Sequence, residues 1–191
     1  MNSFNPEEYR KQTKILIILG VTLIIAFFLD SLFVTIFSNL QNSFLDFIFT
    51  YLTDYILVVI IALVLPTVWL WFDHEEKKII PLWTSFIGTG IIAYSIKILV
   101  QRPRPTDTNI FLATTNSSFP SLHTATAFSV IALLSIMYPK YAKYFIAFAV
   151  VVAITRMYFG LHFLSDIIAG VTLGYFMGYG VMYLHTKRRL F

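Results

Sequence analysis

The sequence contains no cysteine and few charged residues. Without cysteine the chain forms no disulfide and has no thiol nucleophile, so the redox state of its compartment stays open. Charged residues make up only 13% of the 191 positions, about half the fraction usual in soluble domains. Hydrophobic residues make up 58%, and the mean hydropathy is +0.75. The composition therefore excludes an ordinary soluble domain and favours a membrane protein.

Internal repeats, low-complexity tracts and a second domain are also lacking, so we expect one integral membrane domain over residues 1–191. The start of the chain does not resemble a cleavable signal, because its apolar run exceeds about 20 residues and no small-residue cleavage site follows. The net charge of +4 does not indicate a nucleic-acid partner, since the basic residues fall between apolar spans.

Apolar runs long enough to cross a bilayer recur along the chain. About 20 apolar residues span the roughly 30 Å hydrocarbon core, and in lipid the backbone must satisfy its own hydrogen bonds. We therefore predict an all-α, polytopic bundle of six transmembrane helices. The predicted spans are Ile15–Phe37, Tyr55–Trp71, Ile80–Val100, Leu122–Tyr138, Tyr144–Phe159 and Phe163–Leu184.

The distribution of basic residues predicts the orientation. Cytoplasmic loops collect Lys and Arg, and six spans would place both termini on one side. That side holds ten basic residues and the other side holds four, so we expect a multi-pass cell-membrane protein with both termini in the cytoplasm. The ten are Arg10, Lys11, Lys14, Lys77, Lys78, Lys140, Lys143, Lys187, Arg188 and Arg189, and the four are Lys97, Arg102, Arg104 and Arg156. Between the first two spans, the stretch "SFLDFIFTYL" is typical of a short interfacial helix.

The four basic residues on the poorer side belong to segments that meet at the extracytoplasmic face. In "KILVQRPRP", Lys97 lies about two helical turns before Arg104, so both side chains can face the same volume. The prolines predict that the helix ends there. In "FPSLHTATAF", Ser121 is well placed to cap the next helix, and His123 falls in its first turn. A helix N-terminus offers free N–H groups that suit a phosphate.

The third segment, "TRMYFGLHFLSD", combines Arg156, His162 and Asp166. Gly160 can break the helix between Arg156 and His162. The four-residue spacing from His162 to Asp166 predicts that both lie on one helix face.

These residue types suit phosphate chemistry. Lys97, Arg104 and Arg156 can form a cationic cage for phosphate oxygens. Asp166 can accept the Nδ1–H of His162 and leave its Nε2 as a nucleophile, while His123 can donate a proton to a leaving alkoxide. The set requires no metal ion.

Taken singly, each residue also has a simpler explanation. Lys97 can extend its amine to the membrane surface, a histidine at a helix start can serve as a cap, and Arg102 can face lipid headgroups. Asp30, inside the first span, can pair with a basic residue or mark a polar pathway. The convergence of several such residues on one face favours a site.

The three segments together resemble the type 2 phosphatidic acid phosphatases, membrane relatives of acid phosphatases and vanadium haloperoxidases. The family pattern is Lys-x6-Arg-Pro, Pro-Ser-Gly-His and Ser-Arg-x5-His-x3-Asp. The first motif matches fully. The second has Leu122 in place of glycine, and the third has Thr155 in place of serine.

The resemblance implies that His162 attacks phosphorus to form a phosphohistidine, that His123 protonates the leaving group, and that water then releases phosphate. The phosphate-binding residues it implies are Lys97, Arg104, Ser121, Leu122 and Arg156. Leu122 presents a backbone N–H as glycine would, but its side chain takes up room. This departure points to a narrower pocket, a lipid-linked substrate or reduced activity.

The expected function is hydrolysis of a lipid phosphate or pyrophosphate at the outer leaflet, without a cofactor. Undecaprenyl pyrophosphate, phosphatidylglycerol phosphate and phosphatidic acid are the substrate types considered, and the sequence does not choose among them. A lipid phosphotransferase using the same histidine and a membrane anion transporter are the alternatives. The expected partners are the lipid substrate and membrane lipids, and the oligomeric state stays open.

Overall fold

The computed structural model describes residues 6–106 and 116–188, and within these ranges every regular element is helical. Part of the predicted outer loop, residues 107–115, and Arg189 lie outside the described residues. Short 3₁₀ turns at Glu76–Lys78 and Pro139–Tyr141 precede two of the helices. The helices are α1 (Pro6–Leu40), α2 (Ser43–Thr53), α3 (Tyr55–Val59), α4 (Leu65–Phe72), α5 (Ile79–Val100), α6 (Leu122–Met137), α7 (Ala142–Tyr158) and α8 (Leu164–Arg188).

The predicted multi-pass helical architecture is confirmed, with a difference in one span. The described residues contain five helical segments long and apolar enough to cross a membrane, where the sequence predicted six. The remaining span is α6, which has 16 residues and is roughly 24 Å long at 1.5 Å per residue. The five long segments are Arg10–Leu40, Tyr55–Phe72, Glu76–Val100, Pro139–Tyr158 and Leu164–Lys187.

The short helix α6 lies at the centre of the bundle. It packs against α5, α7 and α8, and 11 of its 16 residues are buried while the others are half-buried. A helix that is apolar on all sides is typical of such a central position. Because its neighbours surround it, α6 contacts protein along most of its length rather than lipid.

The second predicted span is a continuous helical run that changes its hydrogen-bond pattern in the middle. A π-helical segment, Ile60–Val64, joins α3 to α4, and the N–H of Leu65 donates to the carbonyl of Ile60. Pro66 follows directly. Proline has no N–H and its ring clashes with the carbonyl four residues earlier, which explains the local widening.

Glycines bring α6 and α8 into close contact. A Cβ atom at Gly174 would overlap the backbone oxygen of Ala125, and one at Gly178 would overlap that of Ser129. Small residues that let two helices approach closely are a common packing device in membranes, where lipid provides no hydrophobic driving force between helices. This contact aligns the start of α6 with the start of α8.

Successive helices run in alternating directions, so the predicted motifs lie together at one end of the molecule. The ends of α5 and α7 and the starts of α6 and α8 lie together at what we call the site end. The stretch predicted to be an interfacial helix is helical: it forms α2, which lies there too and packs against α7. The start of α1 and the end of α8 lie at the other end of the bundle, away from the site end.

Candidate active site

Lys97 fixes the loop that leads into α6. Its side chain is 2% exposed, and its Nζ donates to the carbonyl oxygens of Ser117 and Ser118 at 2.6 and 3.0 Å. The N–H of Ser118 donates to the carbonyl of Arg102 at 2.8 Å, so the loop is bound to the end of α5 as well. Lys97 is therefore a buried component of the site.

Arg104 connects the end of α5 to the turn between α7 and α8. Its Nη1 donates to the carbonyl oxygen of Leu161 at 2.6 Å. The predicted break at Gly160 is confirmed: α7 ends at Tyr158, and Gly160 has φ of +62°. A Cβ atom at Gly160 would collide with Thr106, whose hydroxyl donates to the Gly160 carbonyl. The turn therefore requires glycine for both conformation and space.

Arg156, at the end of α7, is 1% exposed and is held by α2. Its Nη1 donates to the hydroxyl of Thr53 at 2.6 Å and to the Thr53 carbonyl at 3.3 Å. Thr53 is the last residue of α2. No signal in the sequence identifies Thr53, because no motif includes it and its partner lies 103 positions away.

The start of α6 matches the predicted cap. Ser121 is the N-cap residue, and its hydroxyl oxygen accepts hydrogen bonds from the N–H and the hydroxyl of Thr124. The backbone N–H of Ser121 donates to the carbonyl of Asp166, which ties the start of α6 to α8. Leu122 is half-buried at the first helical position.

His123 is buried in the first turn of α6 and packs edge-on against Tyr55, with ring centroids 4.7 Å apart. The charges of Lys97, Arg104 and Arg156 act on both His123 and His162. The two histidines thus share one electrostatic environment although they come from different helices.

His162 lies in the turn before α8 and Asp166 in the first turn of that helix, so the prediction that both lie on one helix face is wrong. The two side chains nevertheless adjoin each other. His162 Nδ1 lies 3.6 Å from Asp166 Oδ2, and both side chains are buried. The carboxylate accepts a 2.8 Å hydrogen bond from the N–H of Phe163 and a 2.7 Å hydrogen bond from Arg102. Asp166 is therefore held by neighbours other than the histidine, at a distance from Nδ1 longer than a hydrogen bond.

The environment of His162 favours its neutral form. Burial lowers the pKa of this imidazole well below its usual range, and the positive charges of Arg156, Lys97 and Arg104 lower it further. A neutral imidazole retains a lone pair, which a nucleophile requires.

Hydrogen bonds hold the three cationic side chains in place. The hydrogen bonds described above from Lys97, Arg104 and Arg156 reach neutral oxygens, which orient a cation without cancelling its charge. Such a cluster of fixed positive groups suits an anion with several oxygens, as phosphate has. Within residues 6–106 and 116–188, no group of three or more His, Cys, Asp or Glu is arranged as metal ligands would be. Independence of a metal stays a prediction.

The structure thus brings all of the predicted site residues to one end of the bundle. Asp30, which the sequence left between two explanations, pairs with a basic residue: its Oδ2 accepts a hydrogen bond from Arg102 at 2.7 Å. Arg102 contacts carboxylates rather than facing lipid headgroups alone. The predicted residues are Lys97, Arg104, Ser121, Leu122, His123, Arg156, His162 and Asp166.

Relatives of known activity are similar to this chain in sequence. The lipid A 1-phosphatase of Rhizobium etli is 34% identical over 102 residues, which cover 49% of this chain and 44% of that protein. The undecaprenyl-diphosphatase BcrC of Bacillus subtilis is 26% identical over 145 residues, covering 73% of this chain and 74% of that protein. The chain thus spans less than half the length of the lipid A 1-phosphatase that it matches.

Two crystal structures share the fold. A PAP2-type phosphatidylglycerolphosphate phosphatase from Bacillus subtilis superposes with a TM-score of 0.70 at 18% identity, covering 90% of this chain and 96% of that one. Aquifex aeolicus LpxE superposes with a TM-score of 0.69 at 24% identity, covering 81% of this chain and 94% of that one. The family model of the PAP2 superfamily matches residues 78–190, which include every motif described above. The chain therefore belongs to the PAP2 superfamily.

Proposed function

We propose that the protein is a membrane phosphatase that hydrolyses a lipid phosphate or pyrophosphate through a phosphohistidine. The observation that carries this proposal is the convergence of Lys97, Arg104 and Arg156 on two buried histidines. Fixed cations around a neutral nucleophile can stabilise the charge that develops on the phosphoryl oxygens during transfer.

In the first step, the Nε2 lone pair of His162 attacks phosphorus, and the bond from phosphorus to the leaving oxygen breaks. His123 donates its proton to that oxygen. His123 therefore has to enter this step in its protonated form.

The phosphorylated imidazole is cationic and keeps its Nδ1–H. Asp166 Oδ2, 3.6 Å away, is the acceptor that stabilises this cation after a small movement of the ring. In the second step, a water molecule gives its proton to His123 and attacks phosphorus. The phosphorus–nitrogen bond breaks, phosphate is released, and free His162 is regenerated.

The substrate class follows from what the named relatives share. Lipid A 1-phosphatase, undecaprenyl-diphosphatase and phosphatidylglycerolphosphate phosphatase all act on a phosphate attached to a membrane lipid. The site of this chain lies at one end of a bundle of apolar helices, so a lipid can present its head to the cage while its tail stays among acyl chains.

The direct experiment is phosphate release by the purified full-length chain in detergent. The panel contains undecaprenyl pyrophosphate, phosphatidylglycerol phosphate, phosphatidic acid and lipid A, with His162→Ala as the matched control. We expect release from at least one lipid and none from the variant. No release from any lipid would contradict the proposal and leave the transporter alternative. Transfer to an added alcohol in preference to water would identify a phosphotransferase.

The side of the membrane can be tested because the chain has no native cysteine. A cysteine at Asn116, at the site end, should react with an impermeant thiol reagent in intact cells, and one at Lys78 should not. The reverse labelling pattern would place the site in the cytoplasm.

Metal independence has its own test. Activity should survive EDTA, because Lys and Arg supply the positive charge in this mechanism. Loss of activity that a divalent ion restores would contradict it.

A further inference from the structure

Arg102 precedes Arg104 by two residues but bonds to a different set of groups. Its Nη1 donates to the Ser165 hydroxyl and to Asp166 Oδ1, each at 2.7 Å. Its Nη2 donates to Asp30 Oδ2 at 2.7 Å. One guanidinium thus bridges a carboxylate on α1 and the carboxylate beside His162.

Asp30 is an acidic residue in the middle of an apolar helix. It is 6% exposed, and acidic side chains at membrane depth are rare and usually functional. Besides Arg102, it accepts a 2.8 Å hydrogen bond from the N–H of Ser165 and a 2.6 Å hydrogen bond from the Ser165 hydroxyl. Asp30 therefore contacts both Arg102 and the residue directly before Asp166.

The bridge fixes the Asp166 carboxylate on two sides. Arg102 holds Oδ1, and the N–H of Phe163 holds Oδ2, the oxygen that faces His162. The guanidinium itself stacks near the ring of Phe163, with Cζ 4.1 Å from the ring centroid.

We infer that Arg102 and Asp30 are positioning residues: they hold the Asp166 carboxylate in the orientation that His162 needs during phosphoryl transfer. The inference rests on the proposed function and extends it to α1, which the family-model match at residues 78–190 does not include. Arg102 acts through Asp166, whereas Arg104, two residues later, belongs to the phosphate cage.

The test measures kcat and KM for hydrolysis of para-nitrophenyl phosphate by the full-length protein in detergent. Arg102→Gln and Asp30→Asn should each lower kcat on the order of 10–100-fold, the size expected when a hydrogen bond to a charged group is lost. KM should change little, because the cage residues are untouched. Arg102→Lys, which keeps the charge, should recover part of kcat. Asp73→Asn, which removes an exposed carboxylate at the opposite end of the bundle, should leave kcat unchanged.

A double-mutant cycle separates positioning from a general structural role. In the Asp166→Asn background, Arg102→Gln should have little further effect, because the group it positions is already altered. Equal effects in both backgrounds, or a loss of folded protein with normal kcat per folded molecule, would overturn the inference. If Arg102→Gln does not fold, the same kcat comparison in the wild-type and Asp166→Asn backgrounds is made with Asp30→Asn, which keeps the side-chain shape. An active wild type with fully active variants overturns only this inference, whereas an inactive wild type overturns the proposed function and this inference with it.

Discussion

His162 Nδ1 and Asp166 Oδ2 lie 3.6 Å apart, and the carboxylate is already hydrogen-bonded to Phe163 and Arg102. The pair is therefore close but not yet joined by a hydrogen bond. Since the aspartate is fixed by its other partners, the imidazole is the side that moves. Protonation or phosphorylation of the ring supplies the positive charge that would draw the two together.

The two histidines should respond differently to the leaving group. His123→Ala should slow hydrolysis of a lipid phosphate by roughly 10²–10⁴-fold, the usual contribution of a general acid. The loss should be much smaller for para-nitrophenyl phosphate, whose leaving group needs no proton. Parallel measurements of kcat on both substrates check this. Equal losses on the two substrates would show that His123 is not the acid.

Thr53 should matter through Arg156. Thr53→Val removes the hydroxyl that accepts from the guanidinium, while the backbone carbonyl remains. A hydrogen bond to a charged group contributes about 1.5–3 kcal/mol, so we expect kcat/KM for phosphate release to fall at least about tenfold.

Thr50→Val is the matched control for this prediction. Thr50 lies on the same helix and is exposed, and its hydroxyl bonds to the carbonyl of Asp46 within α2. It should leave kcat/KM near the wild-type value. Full activity of Thr53→Val would show that the contact of α2 with Arg156 does not contribute to phosphate binding.

The contact between α6 and α8 should tolerate no side chain at its centre. Gly174→Ala places a methyl group against the Ala125 carbonyl, and overpacking of this kind typically destabilises by about 1–3 kcal/mol. We expect a lower Tm in detergent and lower activity, because the starts of both helices carry site residues. Gly180→Ala on the same helix meets no atom within 4 Å and should be neutral or slightly stabilising. Similar Tm values for the two variants would contradict the close contact.

The depressed pKa of His162 predicts a pH dependence of stability. Below about pH 6.5 the unfolded chain protonates this histidine while the folded protein keeps it neutral. The unfolded state then binds more protons, so the free energy of unfolding falls as the pH falls. Above that pH both states are neutral and this contribution is absent.

The measurement is Tm at pH 5.5 and 8 for wild type and His162→Asn. The variant should lose part of the decrease in Tm at the lower pH. His74→Asn, at an exposed position in the turn after α4, is the control and should keep the wild-type dependence. An unchanged dependence in His162→Asn would show that His162 titrates alike in both states.

Much of the fold was predictable because local signals and spacing determine it. The apolar runs predicted the helices, Ser121 predicted the start of α6, and Gly160 predicted the turn after α7. The short spacing from His162 to Asp166 predicted that these two side chains lie near each other, although His162 precedes α8. These features depend on residues close together in the chain.

What the sequence did not reveal depends on contacts between distant segments. Thr53 and Arg156 are 103 positions apart, and Asp30 and Ser165 are 135 apart. Nothing near Thr53 marks it as a partner of the site. Asp30 carried a signal, an acid inside an apolar span, but its partner was not evident from position. The central place of α6, which explains its shortness, likewise follows from packing rather than from hydropathy.

Trapping the covalent intermediate tests the role of His162 most directly. Wild-type protein and His162→Ala are mixed with a substrate carrying ³²P in the transferred phosphate and quenched within milliseconds. We predict an acid-labile, base-stable phosphoprotein in the wild type and in His123→Ala when the substrate has a good leaving group. His162→Ala should give none. A phosphoprotein of the same kind in His162→Ala would contradict the mechanism and identify another residue, His123 first, as the nucleophile.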